Sequence, residues 1–258
     1  MSHLESLFGL KQKVAIVTGG ARGIGLCAAE NMAAVGADIV IFDILDDLAQ
    51  KVAEEIAKKY QVRTASFHCD VTDPAQVKAR IDEAAQRMGT LDLLFNNAGI
   101  VIQTPAEDTT VEDWQKVVDV NLNGVFYMAQ AFGKWLITHN KKGSIVNTAS
   151  MSATIVNIPQ PQASYNATKA AVRHLSKSLA VEWVQKGIRV NSISPGYIWT
   201  DLTASVREDY RNSWISQIPL RRMGTPEELV GAIIYLFSDS AGYTTGCDIV
   251  IDGSFTVV

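Results

Sequence analysis

The feature that most constrains the fold is a regular alternation of short apolar runs with longer helical segments along all 258 residues. The apolar runs are rich in β-branched residues, and several are apolar at nearly every position, which is typical of strands covered on both faces. Seven runs predict strands, at residues 14–18, 38–42, 63–67, 91–95, 144–148, 189–193 and 248–251. Six segments have helical spacing and caps, at residues 24–35, 46–59, 74–88, 111–139, 163–186 and 226–238.

This alternation predicts the fold class α/β, with a single Rossmann-type doubly wound domain over residues 1–258 and a seven-stranded parallel sheet flanked by helices on both faces. Residues 195–220 depart from the pattern, because they are poorly periodic and include Trp199, Tyr210 and Trp214. A long irregular segment in a compact domain is usually functional. We therefore predict a substrate loop at about 195–220, the alternative being a plain surface excursion.

Composition and charge exclude several functional classes. Hydrophobic residues make up 47% of the chain, and the net charge is −4, which argues against nucleic-acid and membrane surfaces. Residues 1–8 do not have the basic region or the apolar run that would predict a signal peptide, and no uncharged apolar run approaches the roughly 18 residues that would predict a membrane span. The widely spaced Cys27, Cys69 and Cys247 indicate reduced cysteines in a cytoplasmic protein, and the isolated histidines predict no metal site.

A glycine-rich loop follows the first predicted strand, with the sequence Thr-Gly-Gly-Ala-Arg-Gly-Ile-Gly over residues 18–25. Gly19 permits a tight turn, Gly23 lets the backbone approach a pyrophosphate, and Gly25 lets the helix pack on the sheet. The helix that follows would direct its free N–H groups at the phosphates. The loop therefore predicts a dinucleotide site.

The second predicted strand ends at Asp43, 18 residues after Gly25. A carboxylate there can accept hydrogen bonds from the adenosine ribose and would repel a 2′-phosphate, which favours NAD(H) over NADP(H). Arg22 opposes this interpretation, because it could reach a 2′-phosphate, but Ile44 stands where a second basic residue would be needed. The alternative role for Asp43 is a helix cap.

With these motifs in order, the sequence resembles the short-chain dehydrogenase/reductase superfamily over essentially its whole length. The matching pieces are the glycine-rich loop, Cys69-Asp70-Val71, Asn96-Asn97-Ala98-Gly99, Val120-Asn121, a serine after the fifth strand, Tyr165-x-x-x-Lys169 and Pro195-Gly196. The resemblance implies a homotetramer. It also implies cofactor contacts at Gly19, Arg22, Gly23, Ile24, Gly25, Asp43, Asp70, Val71, Asn97, Ala98, Gly99, Tyr165, Lys169, Pro195, Gly196, Ile198 and Thr200.

Tyr165 and Lys169 are the predicted chemical centre. Their spacing places both on one face of a helix. A free phenol titrates near pH ~10, and an adjacent ammonium together with the positive charge of an oxidised nicotinamide would favour the tyrosinate. The resemblance adds Asn121, which would interrupt its helix and hold a water in a proton relay to Lys169.

Two serines follow the fifth strand, and a catalytic serine should donate a hydrogen bond to the substrate oxygen. Counting forward from the strand selects Ser150, whereas counting back from Tyr165 by the usual spacing of the family selects Ser152. A small insertion within residues 155–162 explains the conflict. We predict Ser150 as the catalytic serine and Ser152 as a substrate contact.

Residues 149–160 and 164–169 resemble the branch that contains polyol dehydrogenases and ketose reductases. This resemblance implies reversible NAD-linked oxidation of a polyol to a ketose. Hydroxyl and amide side chains suit a polyhydroxy substrate. The predicted substrate contacts are Ser150, Ser152, Asn157, Gln160, Tyr165 and Trp199. Alternatively, Asn157 and Gln160 satisfy loop backbone, and Trp199 packs against the loop.

Two rival functions remain at this point. A 3-oxoacyl-thioester or other carbonyl reductase would need a basic patch for an acyl carrier, which the acidic composition does not support. A dinucleotide-binding regulatory protein would be free to lose its catalytic side chains, yet all four are present, at Asn121, Ser150, Tyr165 and Lys169.

Overall fold

The computed structural model describes residues 3–204 and 206–258 and contains one sheet of seven parallel strands. The strands are β1 (Val14–Thr18), β2 (Asp38–Asp43), β3 (Thr64–His68), β4 (Leu93–Asn96), β5 (Gly143–Thr148), β6 (Ile188–Pro195) and β7 (Asp248–Ile251). Their order is β3-β2-β1-β4-β5-β6-β7, which confirms the predicted doubly wound α/β fold. The order reverses between β1 and β4, and this reversal opens a crevice at the carboxyl edge of the sheet.

Ten α-helices are assigned among the described residues. They are α1 (His3–Phe8), α2 (Gly23–Ala34), α3 (Asp46–Tyr60), α4 (Pro74–Met88), α5 (Val111–Val118), α6 (Gly124–Thr138), α7 (Ala163–Trp183), α8 (Asp201–Ala204), α9 (Glu208–Gln217) and α10 (Glu227–Phe237). The cap predicted for α4 is observed, because the Asp73 carboxylate accepts hydrogen bonds from two N–H groups of the first turn. None of the described helices is both long and apolar enough to span a bilayer.

Helices cover both faces of the sheet, as the apolar strands predict. On one face, α2, α3 and α10 bury Met32, Ile56 and Leu229 against the strands. On the other face, α4, α6 and α7 bury residues that include Phe132 and Leu179. The central strands are therefore enclosed on both sides, and this rigid support fixes the positions of the loops at their carboxyl ends.

The helix predicted over residues 111–139 is interrupted. A π-helical turn at Asp119–Asn123 separates α5 from α6, and Asn121 lies at its centre, fully buried. Such turns are frequent at functional sites. The interruption itself agrees with the expectation for Asn121.

One prediction of local structure was wrong, and one helix was not predicted. Residues 195–220, predicted to be irregular, contain α8 and α9, and residue 205 lies outside the described residues. The periodicity of α9 is weak because Trp214 is its one buried side chain, so the helix has no apolar stripe. Helix α1 was missed for the same reason, since it has no buried residue.

Candidate active site

The predicted site residues follow the carboxyl ends of neighbouring strands. The glycine-rich loop follows β1, Asp43 ends β2, and the segments that begin at Asn97 and Ser150 follow β4 and β5. Because all seven strands are parallel, these loops meet at one edge of the sheet. The fold thus brings together most of the residues that the sequence singled out.

The glycine-rich loop has a backbone shape that other residues would not adopt. Gly19 and Gly23 have φ values of 62° and 58°, in the left-handed region. A Cβ atom added to Gly25 would lie 2.1 Å from the Gly19 carbonyl oxygen. The loop is therefore a close-packed cradle of bare backbone at the N-terminus of α2, which fits the phosphates of a dinucleotide.

A second observation supports the fit of a cofactor. The Oγ1 atom of Thr148 is buried without a hydrogen-bond partner in the part of the chain that the structure describes. Thr148 pairs with Ile193 of β6, and both Ile193 and Val146 pack into the cluster on the α2 side of the sheet. Strand alternation therefore places the Thr148 hydroxyl on the same face and edge as the glycine-rich loop, where a bound dinucleotide could satisfy it.

Asp43 is buried, and its carboxylate accepts hydrogen bonds from the protein backbone. Its Oδ2 atom accepts a hydrogen bond from the Ala21 N–H at 3.0 Å, and its Oδ1 atom accepts from the Leu45 N–H at 3.1 Å. Arg22, next to Ala21 in the loop, is exposed and makes no ion pair within residues 3–204 and 206–258. The carboxylate thus ties β2 to the loop, while the guanidinium is available to a ligand.

Two further segments of the predicted cofactor site hold the loops in place. The Asp70 carboxylate accepts from the N–H and hydroxyl of Thr72, at 2.9 and 2.8 Å, and so stabilises the turn after β3. The Asn97 amide donates to the carbonyl oxygens of Thr18 and Gly19, which braces the glycine-rich loop against β4. The neighbours Val71, Ala98 and Gly99 extend these same two segments.

The segment after β6 reaches the glycine-rich loop from the other side. The Gly196 N–H donates to the Ile251 carbonyl oxygen, which ties the end of β6 to β7, and Pro195 closes the strand. Ile198 is buried in the cluster that also contains residues of α2. A Cβ atom on Gly23 would lie 3.8 Å from the Thr200 methyl carbon, so Thr200 lies beside the loop. Ile24, on α2, packs against that cluster.

Tyr165 and Lys169 lie on one face of α7, as predicted. The Lys169 Nζ atom is 5.6 Å from the centre of the Tyr165 ring and donates to the Thr148 carbonyl oxygen at 2.7 Å. Burial raises the pKa of Tyr165, and a hydrogen bond with Ser150 partly opposes this. Burial also lowers the pKa of Lys169 to about 8. In the chain alone, the pKa of the Tyr165 phenol therefore stays above its usual value despite the neighbouring lysine.

Asn121 is held from both ends of its side chain. Its Oδ1 atom accepts from the Ile100 N–H at 2.8 Å, and its Nδ2 atom donates to the Ile100 carbonyl oxygen at 2.8 Å. A Cβ atom on Gly99 would lie 3.3 Å from Asn121 Oδ1 and 3.5 Å from Lys169 Nζ. Asn121 and Lys169 therefore flank the same glycine, and the water relay between them stays a prediction.

Of the two candidate serines, Ser150 is the one hydrogen bonded to Tyr165. Ser150 begins a 3₁₀ turn at Met151–Ala153, where its Oγ atom accepts from the Ser152 N–H at 3.1 Å. Both serines are buried, and the Ser152 hydroxyl lies 3.1 Å from that of Ser150. This geometry supports Ser150 as the catalytic serine.

The predicted substrate contacts Asn157 and Gln160 have protein partners. Both are buried, and their amide groups donate to the Tyr197 hydroxyl, at 3.1 and 3.0 Å. Trp199 has a side chain that is 50% exposed, and its backbone N–H donates to the Gly224 carbonyl oxygen at 2.8 Å. Contact of these side chains with substrate stays a prediction.

Sequence reasoning missed three side chains that join this region. Tyr197 stacks on Trp214 with ring centres 4.3 Å apart, and Gln162 donates to Asn157 Oδ1 at 3.1 Å. Trp214 was placed in the predicted substrate loop but was not predicted to belong to the site. The clustering of Asn, Gln and aromatic residues was a signal, but their pairing depends on how α9 folds back over the loop.

The unusual pKa of Lys169 gives a testable effect on stability. An unfolded lysine titrates near pH ~10.4, so between about pH 8 and 10.5 the unfolded chain binds more protons than the folded chain. The burial penalty is fully present below pH 8 and disappears as the pH rises through this window. The stability of wild type relative to Lys169→Met, measured by urea unfolding, should rise by about 3 kcal/mol across it. A difference that does not change with pH would contradict the assignment.

Comparison with known proteins gives consistent matches. A family model described as Enoyl-(acyl carrier protein) reductase matches residues 19–256. A sorbose reductase of Candida albicans is 47% identical over 99% of this chain and 91% of its own length. An NADP-dependent mannitol dehydrogenase of Hypocrea jecorina is 43% identical over 99% of this chain and 96% of its own. The structure of a gluconate 5-dehydrogenase from Burkholderia cenocepacia, in complex with NADP and tartrate, has a TM-score of 0.94 and 34% identity over 99% of this chain and 100% of that chain.

These comparisons correct the cofactor prediction. The mannitol dehydrogenase is named as NADP-dependent, and the gluconate dehydrogenase holds NADP, so the NAD(H) preference predicted from Asp43 is wrong. The physical reason is visible in the loop. Both Asp43 oxygens are shared with backbone N–H groups, and the neighbouring Arg22 offers an exposed cation to a phosphate.

Proposed function

Because this chain belongs to the short-chain dehydrogenase/reductase family, we propose that it interconverts a ketose and a polyol with NADP(H). One observation supports this proposal above the others. Tyr165, hydrogen bonded to Ser150 and adjacent to the buried Lys169, lies at the sheet edge that also holds the glycine-rich loop. The 47% identity of this chain to a sorbose reductase supports the same proposal.

The cofactor would lie along the carboxyl edge, with its pyrophosphate on the loop of Gly19, Gly23 and Gly25. We propose that Arg22 binds the 2′-phosphate, since a guanidinium makes charge-assisted hydrogen bonds with phosphate oxygens. The Thr148 hydroxyl is available to the same ligand. When bound, the nicotinamide supplies the hydride for reduction and, in its oxidised form, a positive charge.

The side chains handle the proton. In reduction, the Tyr165 hydroxyl donates its proton to the substrate oxygen, and Ser150 donates a hydrogen bond that stabilises the developing charge. For the reverse reaction, Lys169 would favour the tyrosinate form of Tyr165 together with the positive charge that a bound oxidised nicotinamide would supply. Asn121 would hold the water that returns the proton through Lys169.

We propose that the protein acts as a homotetramer in the cytoplasm. Val111 and Trp114 on α5, Phe126 on α6 and Val181 on α7 are exposed apolar side chains on helices of one face of the sheet. Such a surface is suited to a second copy of the chain. All three cysteines are free, which fits a reducing compartment.

The test is a set of reactions with purified protein. We would follow NADPH and NADH oxidation with sorbose, fructose, xylulose and tagatose, and with acetoacetyl and crotonyl thioesters. The proposal expects ketose reduction with NADPH as the more efficient cofactor. The thioesters are included because the matching family model is described as an enoyl reductase. Turnover of thioesters alone would replace the proposal with an acyl-thioester reductase.

A further inference from the structure

A continuous network of polar side chains leads from the catalytic serine to α9. Every member is buried, with at most 8% of its surface exposed. The members, in order, are Ser150, Ser152, Asn157, Tyr197, Gln160 and Trp214, with Gln162 as a branch. In a buried network the direction of each hydrogen bond matters, because a group left without a partner is costly.

The far end of the network fixes its own direction. The Trp214 indole N–H can only donate, so the Gln160 Oε1 atom, 2.8 Å away, must be the acceptor. The other end of the Gln160 amide is therefore its NH₂ group, which donates to the Tyr197 hydroxyl oxygen at 3.0 Å. The Asn157 Nδ2 atom donates to the same oxygen at 3.1 Å.

At Tyr197 the bonds reverse direction, because its hydroxyl oxygen accepts from both amide groups. With its NH₂ group on Tyr197, Asn157 turns its Oδ1 atom to the Ser152 hydroxyl, 2.5 Å away, and this atom can only accept. The one proton of the Ser152 hydroxyl is therefore used. Its oxygen can then only accept from the Ser150 hydroxyl, at 3.1 Å.

The network consequently competes with the substrate for the Ser150 proton. A hydroxyl has one proton, and Ser150 must donate it to the carbonyl oxygen during reduction. If it does, the buried Ser152 oxygen loses its donor. The Gln162 amide is 3.5 Å from that oxygen, and it already donates to Asn157 and Asn166.

We propose that the substrate itself replaces this donor, through the hydroxyl on the carbon next to the carbonyl. That hydroxyl donates to Ser152, which releases the Ser150 proton to the carbonyl oxygen. The two serine oxygens are 3.1 Å apart, a separation that oxygens on adjacent carbons can match. The inference rests on the proposed function and deepens it: the site selects α-hydroxyketones over plain ketones, and Asn157 is the positioning residue whose Oδ1 atom takes the Ser152 proton.

Four small ketones distinguish the effect of a hydroxyl proton donated by the substrate from the effects of substrate size and polarity. Hydroxyacetone is compared with butan-2-one, and methoxyacetone with pentan-2-one, so that each oxygenated ketone has a partner of its own size. Methoxyacetone has the second oxygen but no proton on it. In wild type with saturating NADPH, the first ratio of kcat/KM should be roughly 10- to 100-fold larger than the second. Equal ratios would overturn the inference, because they would mean that the hydroxyl proton of the substrate brings no advantage.

Two variants should each change one of these ratios: Ser152→Ala should lower the hydroxyacetone ratio, and Asn157→Leu should raise the methoxyacetone ratio. Ser152→Ala removes the acceptor, so the hydroxyacetone ratio should fall to that of methoxyacetone, whereas Ser178→Ala, on the exposed face of α7, should change neither. Asn157→Leu frees the Ser152 proton, so the methoxyacetone ratio should rise. A merely structural role for Asn157 would lower all four rates together. Retained NADPH binding, followed by fluorescence, shows that each variant is folded.

The failure of this inference differs from failure of the proposed function. An enzyme that reduces sorbose but gives equal ratios keeps its function and loses the inference. An enzyme that reduces none of the ketoses loses the proposed function, and the inference with it. If sorbose is reduced and the small ketones are not, their inhibition constants against sorbose are compared instead, with the same two ratios expected and the same result overturning the inference.

Discussion

Tyr165→Phe should abolish ketose reduction while leaving NADPH binding almost unchanged. The substitution removes one hydroxyl and keeps the ring that packs near Lys169. Loss of the group that donates the proton should lower kcat by about 10³-fold or more, since general acid–base catalysis contributes about 10²- to 10⁴-fold and the hydrogen bond with Ser150 is lost as well. Steady-state kinetics with sorbose and a fluorescence titration with NADPH measure the two effects.

Tyr243 provides the control for this experiment, because its side chain is fully exposed. Tyr243→Phe should leave both kcat and NADPH affinity at the wild-type values. If Tyr165→Phe retained wild-type turnover, the proposed proton donor would be a different group. If it lost NADPH binding to the same extent as turnover, Tyr165 would act in cofactor binding or in the fold and not as the proton donor.

Gly25→Ala should remove cofactor binding, because the glycine-rich loop has no room for one methyl group. The added carbon would lie 2.1 Å from the Gly19 carbonyl oxygen and 2.8 Å from the Asn97 amide nitrogen. The Gly19 backbone would have to move, and this backbone is part of the phosphate cradle. We expect NADPH affinity to fall by about 100-fold or more and stability to fall by about 1–3 kcal/mol, the range typical of overpacking. Fluorescence titration and urea unfolding measure these changes.

Gly231→Ala is the matched control, since it makes the same change in α10. Outside its chain neighbours and the backbone of its own helix, a Cβ atom there would meet no heavy atom within 4 Å. Alanine is the better helix former, so this variant should be more stable by about 0.5–1 kcal/mol, with unchanged NADPH affinity. Wild-type affinity in Gly25→Ala would show that the loop does not hold the cofactor.

Much of the architecture could be predicted because the strand and helix patterns are strong. The β1 run is buried at every position, and residues 74–88 have a cap, a proline and helical spacing, so their bounds were predicted correctly. Site residues in short motifs, such as Tyr165 and Lys169 one helical turn apart, also followed from local spacing. Their convergence follows from the parallel sheet, because its carboxyl ends share one edge.

Other features depend on contacts between distant segments, which local spacing does not show. The π-helical turn at Asn121 is held by Ile100, 21 residues away in sequence. The network that ends at Trp214 joins residues 54 positions apart, and α9 itself has too few buried side chains to show a helical pattern. The sequence could suggest Asn157 and Gln160 as polar groups but not that their partners are Tyr197 and Trp214.

The error in the cofactor prediction has a similar cause. The Asp43 carboxylate at the end of β2 was interpreted as free to bind a ribose, whereas both of its oxygens accept hydrogen bonds from backbone N–H groups. Whether the Asp43 carboxylate or the Arg22 guanidinium is available to the cofactor depends on such hydrogen-bond partners. Arg22 was weighed from the sequence as well, but Asp43 and the absence of a second basic residue at Ile44 outweighed it.

The most direct test of the proposed function follows the hydride. Purified protein would be incubated with sorbose and NADPH that carries deuterium at both C4 positions of the nicotinamide, and the hexitol product would be analysed by mass spectrometry. The proposed function expects one deuterium per product molecule, bound to the former carbonyl carbon. NADPH consumption without a deuterated hexitol, or no reaction with any ketose, would contradict it.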